Sequence, residues 1–243
     1  MEIESYQAES QIEESHWWYK VRRKMFASYI KNIALNKEKS RILDIGSSSG
    51  TNLRMLKDMG FKNYQGFDYN ELSRKFCQEK GLGDVIIGDI CTSSLLDNQY
   101  DLILATDVIE HIKNDDLALK EIYRILKPNG KLIVTVPCFM ALWGGHDLVS
   151  MHHRRYLLKN IVEKMKNVEF KINKSYYFNF ILFLPIFLFR KLIRISKKEA
   201  KNESSINNGF LNKIFEIIFT IDICLAKFIK PPFGVSAFIL ATK

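Results

Sequence analysis

From residue 41 onward, short apolar runs alternate with amphipathic stretches. "RILDIG" (41–46), "NYQGFDYN" (63–70), "DVIIGDI" (84–90), "YDLILATD" (100–107) and "KLIVTVP" (131–137) read as five buried strands. Between them, "TNLRMLKDMG" and "ELSRKFCQEKG" read as helices closed by glycine, and "VIEHIKNDDLALKEIYRILKPNG" contains a third, stopped at Pro128 and Gly130. One strand and one helix recur in steps of about 25 residues, which predicts parallel βαβ units. Upstream, residues 10–34 place aromatic and basic side chains among apolar ones at helical spacing. After Pro137 come a loop, a helix from Leu157 to Lys166, a strand within "VEFKINKSYYFN", two very apolar segments and a final strand, "SAFILATK". The expected fold is therefore α/β: a Rossmann-like, doubly wound, mostly parallel seven-stranded sheet with an antiparallel C-terminal edge strand, plus a hydrophobic helical insert. Ligands in such sheets bind at the carboxyl ends of the strands. The expected division is 1–38 as N-terminal lid helices, 39–175 with 233–243 as the sheet domain, and 176–232 as the insert.

The insert decides between two environments. Its first apolar run, 180–189, is broken by Pro185 and falls short of the roughly 20 residues a bilayer span needs. Its second carries Lys213, Glu216, Asp222 and Lys227 and is amphipathic. Either the two helices pack on each other over the sheet edge, or they form a surface that dips into a membrane or receives a greasy substrate. Charge bears on the choice. Of a net +9, residues 1–150 hold 19 Lys/Arg against 21 Asp/Glu, and residues 151–243 hold 17 against 6. Arg190, Lys191, Arg194, Lys197 and Lys198 beside the apolar runs suit anionic headgroups. The acidic, polar start "MEIESYQAESQIEE" is unlike a signal peptide, and four scattered cysteines have no metal-type spacing. The expected location is the cytoplasm, or the inner face of the membrane.

The loop "GSSSGTN" after the first strand presents backbone N–H groups at a helix start, which suits nucleotide-like ligands. A dinucleotide fingerprint needs glycine at the positions held here by Gly46, Ser48 and Thr51, so NAD and FAD are disfavoured. No Gly-Lys-Ser/Thr follows to make a Walker loop.

"ILDIGSSSGTN" resembles the first motif of class I S-adenosylmethionine-dependent methyltransferases, and "YDLILATDVIEHI" with "LKEIYRILKPNGKLIVTVP" resembles that family's fourth strand, "EH" helix and turn into strand five. The resemblance covers residues 40–137 and implies S-adenosyl-L-methionine as donor and S-adenosyl-L-homocysteine as product. It assigns the cofactor to Asp44, Gly46, Ser47, Ser48, Gly50 and Asn52 of the first loop. Asp68, with Tyr69, falls where the family's acidic residue takes the ribose hydroxyls. Asp89, with Ile90, falls where the adenine amino group is met; Thr106, Asp107 and His111 follow strand four. Read from the residues alone, an Asp after a strand is more often a helix cap than a ligand. Ser48 in place of glycine costs roughly 1–2 kcal/mol wherever φ is positive.

Flanking motifs point to the acceptor side. "HWWYKVRRK" resembles an element that lids the cofactor site in one broad group of the family, with His16, Tyr19 and Arg23 as contact candidates; packing of Trp17, Trp18 and Phe26 on the sheet is the alternative. "ALWGGHDLVSMHHRRY" resembles that group's loop after strand five, which faces the substrate. Trp143, Arg154, Arg155 and Tyr156 are thereby substrate-side candidates and Asp147 matches the pattern. His146, His152 and His111 are candidate bases, since a histidine titrates near neutral pH. Asp107, Glu110 and His111 stand at i, i+3 and i+4 of a helix face, an arrangement similar to one that holds a divalent ion in the ubiquinone-biosynthesis O-methyltransferases. The "EH" pair is also common without metal, and no metal is expected.

The reading is methyl transfer to a small-molecule, lipid-linked or other hydrophobic acceptor, at oxygen. An RNA methyltransferase and a non-catalytic membrane-associated cofactor-binding protein are the alternatives. Nucleic acid is disfavoured because the basic residues flank greasy helices and no base-amino methylation signature follows strand four.

Overall fold

A computed structural model of the chain describes residues 3–195 and 209–243; Lys197, Lys198 and the rest of the polar stretch between the two apolar segments lie outside them. Two N-terminal helices, α1 (Ile3–Ile12) and α2 (Trp17–Ile30), precede the sheet. The alternation then runs β1 (Arg41–Ile45), α3 (Thr51–Asp58), β2 (Asn63–Asp68), α4 (Glu71–Glu79), β3 (Val85–Ile87), β4 (Tyr100–Thr106), α5 (Asp115–Ile125) and β5 (Leu126–Pro137). After β5 come α6 (Gly145–Val149), α7 (Leu158–Asn167), β6 (Lys171–Phe178), α8 (Phe183–Ile195), α9 (Gly209–Ile229) and β7 (Ser236–Thr242).

The sheet has seven strands in the order β3-β2-β1-β4-β5-β7-β6. β1 pairs in parallel with β2 and β4, and β7 runs antiparallel to both β5 and β6. The C-terminal strand is antiparallel, as expected, but sits one place inside the rim, which β6 occupies. Period-2 alternation explains the two cores. Leu43 and Ile45 of β1 face a cluster with Ala118, Leu119 and Ile122 of α5, whereas Ile42 faces the opposite cluster with Met25 and Phe26 of α2. Phe219, Ile223 and Ala226 of α9 join that second cluster. α9 therefore lies against α2 and β6, and α8 against a turn at Met140–Leu142.

Three local differences matter for the site. The N-terminal helical region is two helices, broken where His16 caps α2 by accepting from the Trp18 N–H. "IEH" (109–111) is a single 3₁₀ turn, and Asp107 has φ +53, so Asp107, Glu110 and His111 do not share an α-helical face. Ser48 does take a positive φ, +48, as the missing glycine requires.

Candidate active site

The carboxyl ends of β1, β2 and β4 open into one cavity of about 800 Å³, roofed by α1 and α2. Asp68 ends β2 and is almost fully buried. Its Oδ2 accepts the Ser48 N–H at 2.9 Å, and its Oδ1 accepts the Asn70 N–H at 2.9 Å. The carboxylate is thus tied to the first loop and the α4 entry, with lone pairs to spare. Asp89 caps the short turn after β3, accepting the Cys91 N–H at 2.8 Å, while still lining the cavity. Capping and ligand binding are compatible here.

The first loop is close to its neighbours. Gly46 has φ +71, and a Cβ there would meet Val108 Cγ2 at 2.7 Å. Asp44 is buried; its Oδ1 accepts from Asn52 at 2.9 Å while Oδ2 has no partner among the described residues. Burial pushes the Asp44 carboxyl up to about 7. Asn52 also reaches Thr106 Oγ1 at 3.0 Å, joining the loop to the end of β4.

The cavity wall contains Gly46, Ser47, Ser48, Asn52, Asp68 and Tyr69. It also contains Asp89, Ile90, Thr106, Asp107 and His111, and, at the other end, His146, His152 and Arg155. Five candidates stand outside it. Asp44 lies behind Asn52. Gly50 packs against Leu82 and Cys77, where a Cβ would come within 2.6 Å of Leu82. Tyr156 is buried and donates to Asp115 at 2.7 Å, and Arg154 pairs with the same carboxylate at 3.0 Å. Trp143 is half-buried beyond the lining.

His16, Tyr19 and Arg23 do line the cavity. Arg23 is spent on Thr51 Oγ1 and the Glu13 carbonyl. The arginine that crosses the sheet ends is its neighbour Arg22, paired with Asp107 at 2.5 Å and donating to Thr135 at 2.9 Å. Its signal was in the sequence: Trp18, Arg22 and Phe26 follow at i, i+4 and i+8, and the guanidinium lies 5.1 Å and 5.3 Å from the two rings. Asp107 is thereby engaged by Arg22.

α1 and the turn after it are tied to the first loop and to α4 by polar contacts. Tyr6 donates to Asp68 Oδ1 at 3.0 Å, Ser48 donates to Glu9 at 2.8 Å, and Lys80 pairs with buried Glu13 at 2.7 Å. Burial pushes the Glu9 carboxyl up to about 7.

At the far end, Asp147 organises the loop after β5. It takes two hydrogen bonds from Arg155, at 2.8 and 3.0 Å, one from the Gly144 N–H at 2.8 Å, and holds His152 Nδ1 at 2.8 Å. Although burial opposes it, the His152 and Arg155 bonds hold the Asp147 carboxyl well below the usual carboxylate range. Next to His152, burial drives Glu110 well up and His111 down to about 3, so both are held toward their neutral forms. His111 packs edge-on to His152, ring centres 4.6 Å apart.

Residues 43–134, which carry β1 to β5 and the donor end of this cavity, match the family described as "Methyltransferase domain". Residues 43–134 are a class I S-adenosylmethionine-dependent methyltransferase domain. The chain is 28% identical over 142 residues to a phosphoethanolamine N-methyltransferase of Plasmodium falciparum, covering 55% of this chain and 53% of that protein. In three dimensions the chain is similar to an S-adenosylmethionine-dependent methyltransferase of Archaeoglobus fulgidus, at 20% identity and a TM-score of 0.57, over 92% of this chain and 96% of that one. It is also similar to phosphoethanolamine N-methyltransferase 2 of Haemonchus contortus in complex with S-adenosyl-L-methionine, at 22% identity and a TM-score of 0.58, over 89% of this chain and 51% of that one. These two likenesses carry the fold. The chain spans about half the length of the curated relatives it matches.

Proposed function

We propose that the protein transfers a methyl group from S-adenosylmethionine to a hydrophobic or lipid-linked small-molecule acceptor drawn from an anionic membrane surface. The donor end fits the cofactor: Gly46 leaves a cradle that a side chain would fill, and Asp68 is aimed and rigid. When bound, the cofactor supplies a methyl group already activated on sulfur. The protein's residues then have to hold the donor, orient the acceptor and exclude water. Asp68 would take the ribose hydroxyls, Asp89 and Ile90 the adenine, and the Gly46–Asn52 loop the amino-acid end. α1 and α2, roofing the cavity, would act as the lid.

The observation that carries the acceptor reading is the two-sidedness of α8. Ile186 and Arg190 line the cavity wall, while Leu184, Leu188 and Leu192 of the same helix face solvent. α9 has an exposed apolar face of its own, with Ile214, Ile217, Ile221, Leu225 and Phe228, the last 84% exposed. Their i+3 and i+4 spacing makes a stripe along one side of the helix. Lys191, Lys213 and Lys230 are exposed beside these residues. No helix among the described residues is long and apolar enough to cross a membrane. An apolar stripe with lysines suits a helix lying in the interface of an anionic bilayer, with α8 leading from that surface to the cavity.

Calorimetry with S-adenosylhomocysteine tests the donor half. Saturable binding is expected, weakened about a hundredfold by Asp68→Ala, the loss typical of a charged hydrogen-bond acceptor. Flotation with vesicles of anionic or zwitterionic lipid tests the acceptor half, with binding expected only to the anionic set. No cofactor binding by the intact chain would sink the first, and no vesicle binding the second.

A further inference from the structure

On the wing of the sheet away from the donor loop, Pro137 of β5, Ser236 of β7 and Phe178 of β6 stand in one row, paired across the strands. Asn179 is the first residue beyond that row. It emerges at the same end of the sheet as the donor strands, and it lines the cavity with Ile186 and Arg190 of α8.

The backbone of Asn179 is fully engaged. Its N–H donates to Asp222 Oδ1 at 2.6 Å, its carbonyl accepts the Val235 N–H at 3.2 Å, and its φ is +58. Asp222 is itself buried on α9 and takes the Ile181 N–H at 2.8 Å with its other oxygen. The turn from β6 into α8 is thus bolted to α9. Gly234, next to Val235, lies so close that a Cβ there would meet the Phe178 carbonyl oxygen at 2.4 Å. Asn179 is therefore fixed from α9 and from the approach to β7.

The side chain is not engaged. Asn179 is 2% exposed, its Oδ1 has no partner, and the hydrogen bonds that the described residues make to Asn179 are with its backbone. The left-handed turn alone does not explain an asparagine here. Asparagine tolerates a positive φ, but glycine adopts it freely and has no amide to bury. Burying an amide without a partner opposes folding. An amide held rigidly in a cavity wall, with its backbone satisfied and its side chain not, is explained by a partner that enters the cavity.

The amide also states what that partner carries. Oδ1 accepts a hydrogen and Nδ2 donates one. A carboxylate or an ether offers lone pairs only, and an ammonium offers hydrogens only. An uncharged group that offers both is a hydroxyl or a carboxamide.

We propose that Asn179 is a specificity-determining residue of the acceptor site, its amide binding a hydroxyl or carboxamide on the headgroup of an acceptor whose apolar part lies along α8. The inference rests on the acceptor reading above and names the headgroup chemistry. Asp222 is the positioning residue, because it holds the Asn179 backbone from α9.

The test uses the full chain saturated with S-adenosylhomocysteine and three probes with the same eight-carbon chain: octanol, octanamide and 1-methoxyoctane, which has no hydrogen to donate. Saturation-transfer NMR titration reads their affinities. Asn179→Gly keeps the backbone bonds and suits φ +58, so its Tm should not fall. It is expected to weaken octanol, octanamide or both by about fivefold to tenfold, the worth of one hydrogen bond, and to change 1-methoxyoctane by less than about twofold. A second measurement needs no variant. In wild-type protein labelled with ¹⁵N-asparagine, one side-chain amide pair should shift on adding octanol or octanamide and stay in place with 1-methoxyoctane. The proposal is overturned if Asn179→Gly binds octanol and octanamide as the wild type does, which would leave the amide to water. Equal losses for all three probes, or a wild type that binds neither octanol nor octanamide, would overturn it too. Absence of S-adenosylhomocysteine binding is a separate result and strikes the methyl-transfer reading, while absence of vesicle binding strikes the membrane reading.

Discussion

Tyr6 of α1 donates a 3.0 Å hydrogen bond to Asp68 at the carboxyl end of β2, across 62 residues of chain. In the proposed function the same carboxylate takes the ribose hydroxyls. Tyr6 is therefore both a cover for the donor site and a competitor for its principal acceptor. Tyr6→Phe should tighten S-adenosylhomocysteine binding about threefold to tenfold, the worth of one released hydrogen bond. Weaker binding in the calorimeter would mean instead that the hydroxyl helps hold the donor.

Docking of α1 should depend on pH. Burial raises the Glu9 carboxyl from 4.5 to about 7, opposed by the Ser48 hydrogen bond and reinforced by Glu13. The docked state thus binds the proton more tightly than the undocked state. Docking is fully favoured below about pH 4.5, weakens as pH rises toward about 7, and changes no further above it. Hydrogen exchange of α1 amides, corrected for intrinsic rate, should show more protection at pH 5.5 than at pH 7.5. Glu9→Gln should flatten the dependence.

Ser48 offers a paired comparison. Ser48→Gly and Ser48→Ala both lose the hydroxyl bonded to Glu9, and differ only in a Cβ at φ +48. The glycine variant should be more stable by about 1–2 kcal/mol in urea unfolding. Equal stabilities would show that the loop relaxes out of the left-handed region.

Asp147 is the loop's anchor. Asp147→Ala strands Arg155, which is itself buried, and should cost about 3–5 kcal/mol. That corresponds to a fall in Tm of roughly 10 °C for a chain of this size. Because the folded state holds the carboxyl below its ordinary 3.8, its contribution is present above that pH and lost as pH falls further. Thermal melts of wild type and variant should therefore converge in acid.

The exposed face of α9 separates binding from stability. Ile221→Ser, Leu225→Ser and Phe228→Ser together should abolish vesicle flotation. Each side chain is exposed, so each change should alter stability by no more than about 0.5 kcal/mol. Retained flotation would shift the membrane contact to another surface.

What could be read from the sequence followed the physics of burial. Strands buried on both faces write continuous apolar runs, so β1, β4 and the second half of β5 stand out, and the acids Asp68, at the end of β2, and Asp89, after β3, fall at the matching places in the alternation. α1 does not stand out, because it is held by Tyr6 and Glu9, and by Glu13 just past its end, bonding to polar partners, and such a helix has no apolar stripe to detect. The "RR" pair suggested Arg23, whereas helical phase gives the inward position to Arg22. Arg154 and Tyr156 belong to a pattern whose members divide between cavity and frame, and only contact with Asp115 assigns these two to the frame. Gly50 keeps its place in the loop through Leu82 behind it, a long-range neighbour that a local motif cannot reveal.

The insertion of β7 between β5 and β6 also fixes an order of assembly. β6 cannot join the sheet until residues 236–242 have been made, because its pairing is with β7. Until then β5 keeps an unpaired edge, and Phe219, Ile223 and Ala226 have only part of the surface they finally cover. The half-built protein therefore exposes more apolar surface than the finished one, at a stage when α8 and α9 already exist. A chain with this strand order has reason to meet a lipid surface or a chaperone while still being synthesised.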